Sequence, residues 1–161
     1  MEHNIKKMII DISNLPENAM YQKLFSITRK RIQDRCHTEC FVHGEGDYVI
    51  RFILDEAVPV EGFRISELND VAGIEISGSD FLSLMYGTGQ FLHKSKYTKE
   101  GIIPCKWRGE SVPQCKKRMV FFAQHFYNWY QCCSEEEIRE HIEDLTLWGI
   151  NGVVSVFSCL N

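Results

Sequence analysis

The segment Cys36-His37-Thr38-Glu39-Cys40-Phe41-Val42-His43 is the densest cluster of metal-type ligands in the chain. Two thiols and two imidazoles so close together could close a tetrahedral site. The C-x3-C-x2-H spacing is irregular, and no second ligand pair accompanies it, so no metal is expected. Glu137 and His141 stand four apart, which on a helix would give one metal-binding face. No H-E-x-x-H motif occurs, and a zinc protease is excluded. Gly44-Glu45-Gly46-Asp47 reads as a turn rather than a phosphate loop, and no G-x-S-x-G nucleophile elbow is present. Neither a metal nor an organic cofactor is expected.

Charge narrows the classes further. The 161 residues are 44% apolar and 25% charged, with a net charge of −4. That is a globular balance and argues against a nucleic-acid binder. The charge is unevenly spread: residues 39–80 hold two basic and ten acidic side chains, residues 94–118 eight basic and two acidic. The basic block has only Tyr97 and Trp107 as aromatic platforms, so a solvated connector is the expectation there. No apolar stretch is long enough for a membrane span, and the first residues do not read as a secretion signal. Seven cysteines cannot all pair within one chain. Reduced thiols, mostly small buried side chains, and a cytoplasmic location follow as expectations.

The elements that would position such residues fall into two groups. Lys7–Ile12 is a short apolar run that predicts a strand. Asn14-Leu15-Pro16-Glu17 predicts a helix start, with Met20, Leu24, Phe25, Thr28 and Ile32 as its buried stripe. Arg29, Lys30, Arg31 and Arg35 fall outside that stripe, and the helix should end near Cys36. Strands are predicted over 48–54, 62–65 and 73–78, pairing as neighbours. Ser79-Asp80 opens a second helix whose buried stripe is Phe81, Leu84, Met85, Thr88 and Leu92. Gly87 and Gly89 lie inside it, at about 1 kcal/mol each against Ala. Close approach of the helix backbone to the sheet would offset that.

From Arg118 the pattern changes. Arg118-Met119-Val120-Phe121-Phe122-Ala123 is apolar on both faces, as in a parallel strand covered on both sides. Ser134-Glu135-Glu136-Glu137 is a capping box, with Ile138, Ile142, Leu145 and Trp148 expected to face inward and Gly149 as the stop. Gly152–Phe157 is a second such strand, completing a βαβ unit. The expected organisation is a mixed-sheet α/β domain over residues 1–106, a connector over 107–117, and a βαβ unit over 118–161. Its uncovered strands predict association of copies through residues 118–161.

Three stretches, Phe63-Arg64-Ile65, Ile74–Gly78 and Asp80–Leu92 with its Tyr86-Gly87 pair, resemble the small domain that precedes the barrel in family 20 β-N-acetylhexosaminidases and family 67 α-glucuronidases. Arg118–Phe126, Ser134–Ile138 and Leu147–Val153 are similar to the barrel opening of the same enzymes. The resemblance implies a zincin-like α/β domain followed by the first βαβ unit of an incomplete (β/α)8 barrel. It implies a carbohydrate partner for the full-length protein and a sugar-hydroxyl contact for Arg118. His125 and Asn128 follow the first barrel strand, where barrel enzymes bind ligands, and join Arg118 as candidate substrate-binding residues. The catalytic carboxylates of family 20 lie on the fourth strand, so no catalytic residue is expected here. Glu135, Glu136, Glu137, Glu140, Glu143 and Asp144 belong to a helix, the outer layer of a barrel. The alternative reading is a non-enzymatic protein-interaction or carbohydrate-binding module.

Overall fold

The computed structural model describes residues 3–122 and 129–155. A six-stranded sheet has the order β2-β1-β3-β5-β4-β8. Its strands are β1 (Lys7–Asp11), β2 (Glu39–Phe41), β3 (Tyr48–Leu54), β4 (Phe63–Glu67), β5 (Gly73–Gly78) and β8 (Gly109–Ser111). β2, β1, β3 and β5 run parallel, while β4 is antiparallel to β5 and to β8, so the sheet is mixed. Two helices, α1 (Ala19–Gln33) and α2 (Phe81–Lys94), pack on it, and a hairpin of β6 (Lys96–Thr98) and β7 (Gly101–Ile103) follows α2. Then come β9 (Met119–Phe122), α3 (Glu135–Leu147) and β10 (Gly152–Ser155). β9 and β10 are parallel and form their own two-stranded sheet.

Alternation builds the core. Met8 and Ile10 of β1, Ile50 and Phe52 of β3, and Ile74 and Ile76 of β5 are all fully buried, beside Leu24 and Ile32 of α1 and Leu84, Met85 and Phe91 of α2. Each such side chain stabilises the fold by roughly 1.5–3 kcal/mol relative to exposure. Arg51 of β3, Glu75 of β5 and Arg64 of β4, at alternate positions, are only partly buried, so the sheet shows an apolar face and a more polar one.

α1 begins four residues later than its sequence signal. The cap is Asn18, whose Oδ1 accepts from the amides of Met20 and Tyr21, and Pro16 and Glu17 precede the helix. The buried stripe is also rotated: Met20 faces outward, and Tyr21, Ile27 and Arg31 face inward. The Arg31 Nε donates to Asp144 Oδ1 at 2.7 Å, and Nη2 donates to the Glu140 carbonyl at 3.1 Å and to Glu143 at 3.4 Å, so this arginine fastens α1 to α3. β5 inserts between β3 and β4, which are therefore not neighbours. Three elements lie where no strand was expected: β2, the β6–β7 hairpin and β8. β8 pairs with β4 from inside the expected connector.

α2 is the middle layer, and its two glycines face different partners. A Cβ on Gly87 would sit 2.5 Å from Cγ2 of Ile76 in the sheet. A Cβ on Gly89 would collide with the Leu147 carbonyl of α3. The expectation of close approach to the sheet describes Gly87; Gly89 serves the opposite side. α3 starts at the Ser134–Glu137 capping box and ends before Gly149, whose φ is 83°. Its inward stripe is narrower than the periodicity predicts. Leu147 is buried, Ile138 and Leu145 are partly buried, and Ile142 (43% exposed) and Trp148 (70% exposed) face out.

One face of the β9–β10 sheet packs on α3 through Phe122, although Val153 on that face is 39% exposed. Register places Val120 beside Val153, and Met119 beside Gly152 with Phe121 beside Val154 on the other face. Phe122 is buried, its ring 5.7 Å from His141 of α3, whereas Met119 (53%), Phe121 (49%) and Val154 (39%) are exposed. Among the described residues nothing covers the second face, so the unit carries the uncovered apolar face that a single βαβ unit predicts.

Gly89→Ala should lower the denaturation midpoint, because the obstacle is backbone and α3 must move away. The expected loss is about 1–3 kcal/mol. Hydrogen exchange should show α3 losing protection before the six-stranded sheet does.

Candidate functional site

The metal-like cluster comes apart in the fold. Cys36 and Cys40 are buried in the core, while His37 and His43 are exposed. Burial, with the neighbouring Cys36, pushes the Cys40 thiol up to about 12, so it stays protonated. Among the described residues no group of three or more His, Cys, Asp or Glu side chains is placed to hold a metal ion. Cys105 is a third buried thiol, whereas Cys115 and Cys132 are exposed.

Of the three candidate sugar contacts, His125 and Asn128 lie outside the described residues. Arg118 lies just before β9, at the N-terminal end of the strand. Its Nε donates to the Gly149 carbonyl at 2.6 Å, and its Nη1 to the Cys115 carbonyl at 2.7 Å and to Glu61 Oε2 at 2.9 Å. Asn151, just before β10, completes the cluster. Its Oδ1 accepts from the Arg118 amide at 2.9 Å, and its Nδ2 donates to Glu61 Oε1 at 3.0 Å and to the Lys116 carbonyl at 2.7 Å. One carboxylate from the β3–β4 loop therefore grips the starts of both parallel strands. In β/α architectures ligands bind at the opposite, C-terminal strand ends.

Sequence reasoning did not single out Glu61. It lies in a turn and carries a positive φ of 59°, which no composition signal marks. The Glu61 carboxyl is held below its ordinary range, first by the Asn151 amide and then by the Arg118 guanidinium, against the opposing effect of burial.

The guanidinium of Arg118 also lies over the Tyr86 ring, 5.3 Å from its centroid. Arg118 Nη2 and Tyr86 Oη are both buried without a hydrogen-bond partner among the described residues. Arg118 and Tyr86 line a cleft of about 500 Å³ together with Glu61, Gln90, Lys94 and Trp148. Trp148 stacks on His93 with ring centroids 3.9 Å apart. A second, more apolar cleft of about 460 Å³ runs between the three helices, lined by Ile27, Phe81, Met85, Ile138 and Ile142.

Glu61→Gln removes the charge that Arg118 faces. Because the native carboxyl titrates below its unfolded value, its contribution is present above about pH 4.3 and is lost as pH falls through the folded value. At pH 7 the variant should be less stable by about 1 kcal/mol, and urea denaturation below pH 4 should show the two proteins converging.

A scan against protein-family models finds no match, and a search of curated proteins finds none either. Solved structures do match. A family GH115 4-O-methyl-α-glucuronidase with specificity for decorated arabinogalactans superposes with a TM-score of 0.68 at 11% identity, over 95% of this chain and 25% of that one. The GH20 exo-β-N-acetylglucosaminidase of Vibrio harveyi gives 0.62 at 13% identity, over 93% and 22%. The GH20 β-N-acetylhexosaminidase of Streptomyces coelicolor A3(2) gives 0.60 at 13% identity, over 93% and 30%. This chain thus spans less than a third of the length of these proteins, and at such identities the likeness is one of fold: a mixed α/β arrangement shared with part of each glycoside hydrolase chain.

Proposed function

We propose that this chain is the N-terminal part of a glycoside hydrolase acting on amino-sugar or uronic-acid glycosides, with residues 118–161 opening a (β/α)8 barrel. The carrying observation is the order and docking of its two parts. A mixed six-stranded sheet with two helices is followed by a parallel β9–α3–β10 unit, and over nine-tenths of the chain superposes on GH20 and GH115 enzymes. A barrel interior would use the exposed Met119, Phe121 and Val154 as its inward layer.

On this reading the carbohydrate would sit beyond the C-terminal ends of β9 and β10. His125 and Asn128, which follow β9 along the chain, are its proposed contacts. The position and partners of Arg118 favour a different duty, anchoring the barrel's first two strands to the preceding domain. The acids of α3 are helix-surface groups: Glu137 closes the capping box, and Glu143 and Asp144 bind Arg31. Every Asp and Glu of residues 118–161 lies in α3 and none in β9 or β10, so catalysis would depend on further β/α units. The buried thiols of Cys36, Cys40 and Cys105 fit the proposed cytoplasmic location, and no described helix is long and apolar enough to cross a membrane.

A second reading is favoured by the same bare face: an interaction module whose β9–β10 sheet recruits a partner chain or a second copy. Gel filtration across concentrations separates the two. A stable dimer that Phe121→Glu converts to monomer supports the module.

The hydrolase reading makes a direct prediction. The 161-residue chain should release no chromophore from N-acetylglucosaminide or glucuronide substrates, while the product of a reading frame continuing into six further β/α units should. Turnover by the short chain that disappears with Glu137→Gln or Asp80→Asn would overturn it.

A further inference from the structure

We propose that the cleft between α2 and the end of α3 is a non-catalytic binding site for a neutral pyranose sugar, at the opposite end of the β9–β10 unit from the strand ends where barrel chemistry takes place. The cleft holds about 500 Å³, a volume suited to one or two sugar rings. Trp148 forms one wall. It is 70% exposed, and one ring face is taken by His93, which leaves the other for the C–H face of a pyranose. Gln90 and Ser111 on the remaining walls offer hydrogen-bonding groups suited to hydroxyls.

The floor supplies the second, independent observation. Tyr86 is only 5% exposed, and its Oη lies beside the Arg118 guanidinium without a well-aligned hydrogen bond to any described residue. Arg118 Nη2 is in the same condition. Buried polar atoms of this kind are costly when unmade bonds persist, and an entering oxygen gains what the free protein forgoes. Both atoms are shielded from bulk water, so contact with a ligand oxygen requires the Tyr86 and Arg118 side chains to part. One hydroxyl or acetamido oxygen could accept from Nη2 while exchanging a bond with Oη.

Charge selects a neutral ligand. Arg118 is neutralised by Glu61 at 2.9 Å, and the carboxylate would repel an acid placed beside the guanidinium. Burial and the nearby Arg35 lower the pKa of His93 and favour its neutral form, so Lys94, exposed at the rim, is the remaining charge of the cleft. The proposal rests on the carbohydrate reading above for its choice of probe, but it needs no turnover and no further chain.

The test is a titration of the 161-residue chain with N-acetylglucosamine and its β-1,4-linked disaccharide, followed by the indole N–H signals in two-dimensional NMR, with glucuronate as the charged comparison. A saturable shift of the Trp148 signal is expected, with a dissociation constant of roughly 1 mM. Trp148→Ala should weaken binding at least tenfold, and Tyr86→Phe about fivefold, with unchanged melting curves. No saturable shift up to roughly 50 mM, about fifty times the expected constant, would overturn the proposal and assign the floor atoms to water alone. Binding that both variants leave intact, or binding of glucuronate in preference to the neutral sugars, would also overturn it. The hydrolase reading stands or falls separately, on turnover by the longer product.

Discussion

Everything in this fold is arranged around one close packing, the two-sided burial of α2. A helix between a sheet and another helix must present a small surface to each. Gly87 does so toward Ile76, and Gly89 toward the backbone of Leu147. Two glycines cost an isolated helix about 2 kcal/mol against alanine, an amount that burial of Leu84, Met85 and Phe91 more than offsets. The register of α3 on α2 then determines where β9 and β10 emerge. Arg31, Asp144 and Glu143 hold the α1 side of α3, and Arg118, Glu61 and Asn151 hold the strand side. Among the contacts that join the chain's two halves are a backbone-to-backbone approach, a buried arginine and a shared carboxylate.

The strong periodic signals of the sequence survive in the structure. β3, β5, α2 and the capping box of α3 stand where alternation, helical spacing and capping chemistry place them. Two of the missed elements draw their pairing from elsewhere in the chain. β2 and β8 are three residues long and exist because β1 and β4 offer them an edge. α1 shows a local competition: the Asn14–Glu17 signal loses to Asn18, whose side chain satisfies two amides at once. Arg31 read as a surface cation because its partners, Glu143 and Asp144, lie more than a hundred residues away.

The site was less legible than the fold. Arg118 was identifiable as an unusual start to an apolar strand, but its partners Glu61 and Asn151 are separated from it by 57 and 33 residues. Spacing along the chain carries no information about such a cluster. The Cys36–His43 segment shows the converse. Its residues are close in sequence, yet strand alternation in β2 sends Cys40 into the core while Glu39 and Phe41 remain exposed. Proximity along a chain becomes proximity of side chains only when the backbone geometry allows it.

The left-handed turn at Glu61 ties distant parts of the molecule together. A non-glycine residue at φ 59° carries a backbone cost of about 1–2 kcal/mol. The hydrogen bonds from Arg118 and Asn151 help to hold that turn. Thermodynamic reciprocity then applies: whatever the docked strands contribute to keeping the turn in this conformation, the turn contributes equally to keeping the strands docked. A glycine at position 61 would relieve the backbone but surrender the carboxylate, while a change at Asn151 would be felt ninety residues earlier as altered backbone preference. The two halves of the chain thus share a conformational equilibrium at this turn, although among the described residues no strand of the six-stranded sheet pairs with β9 or β10.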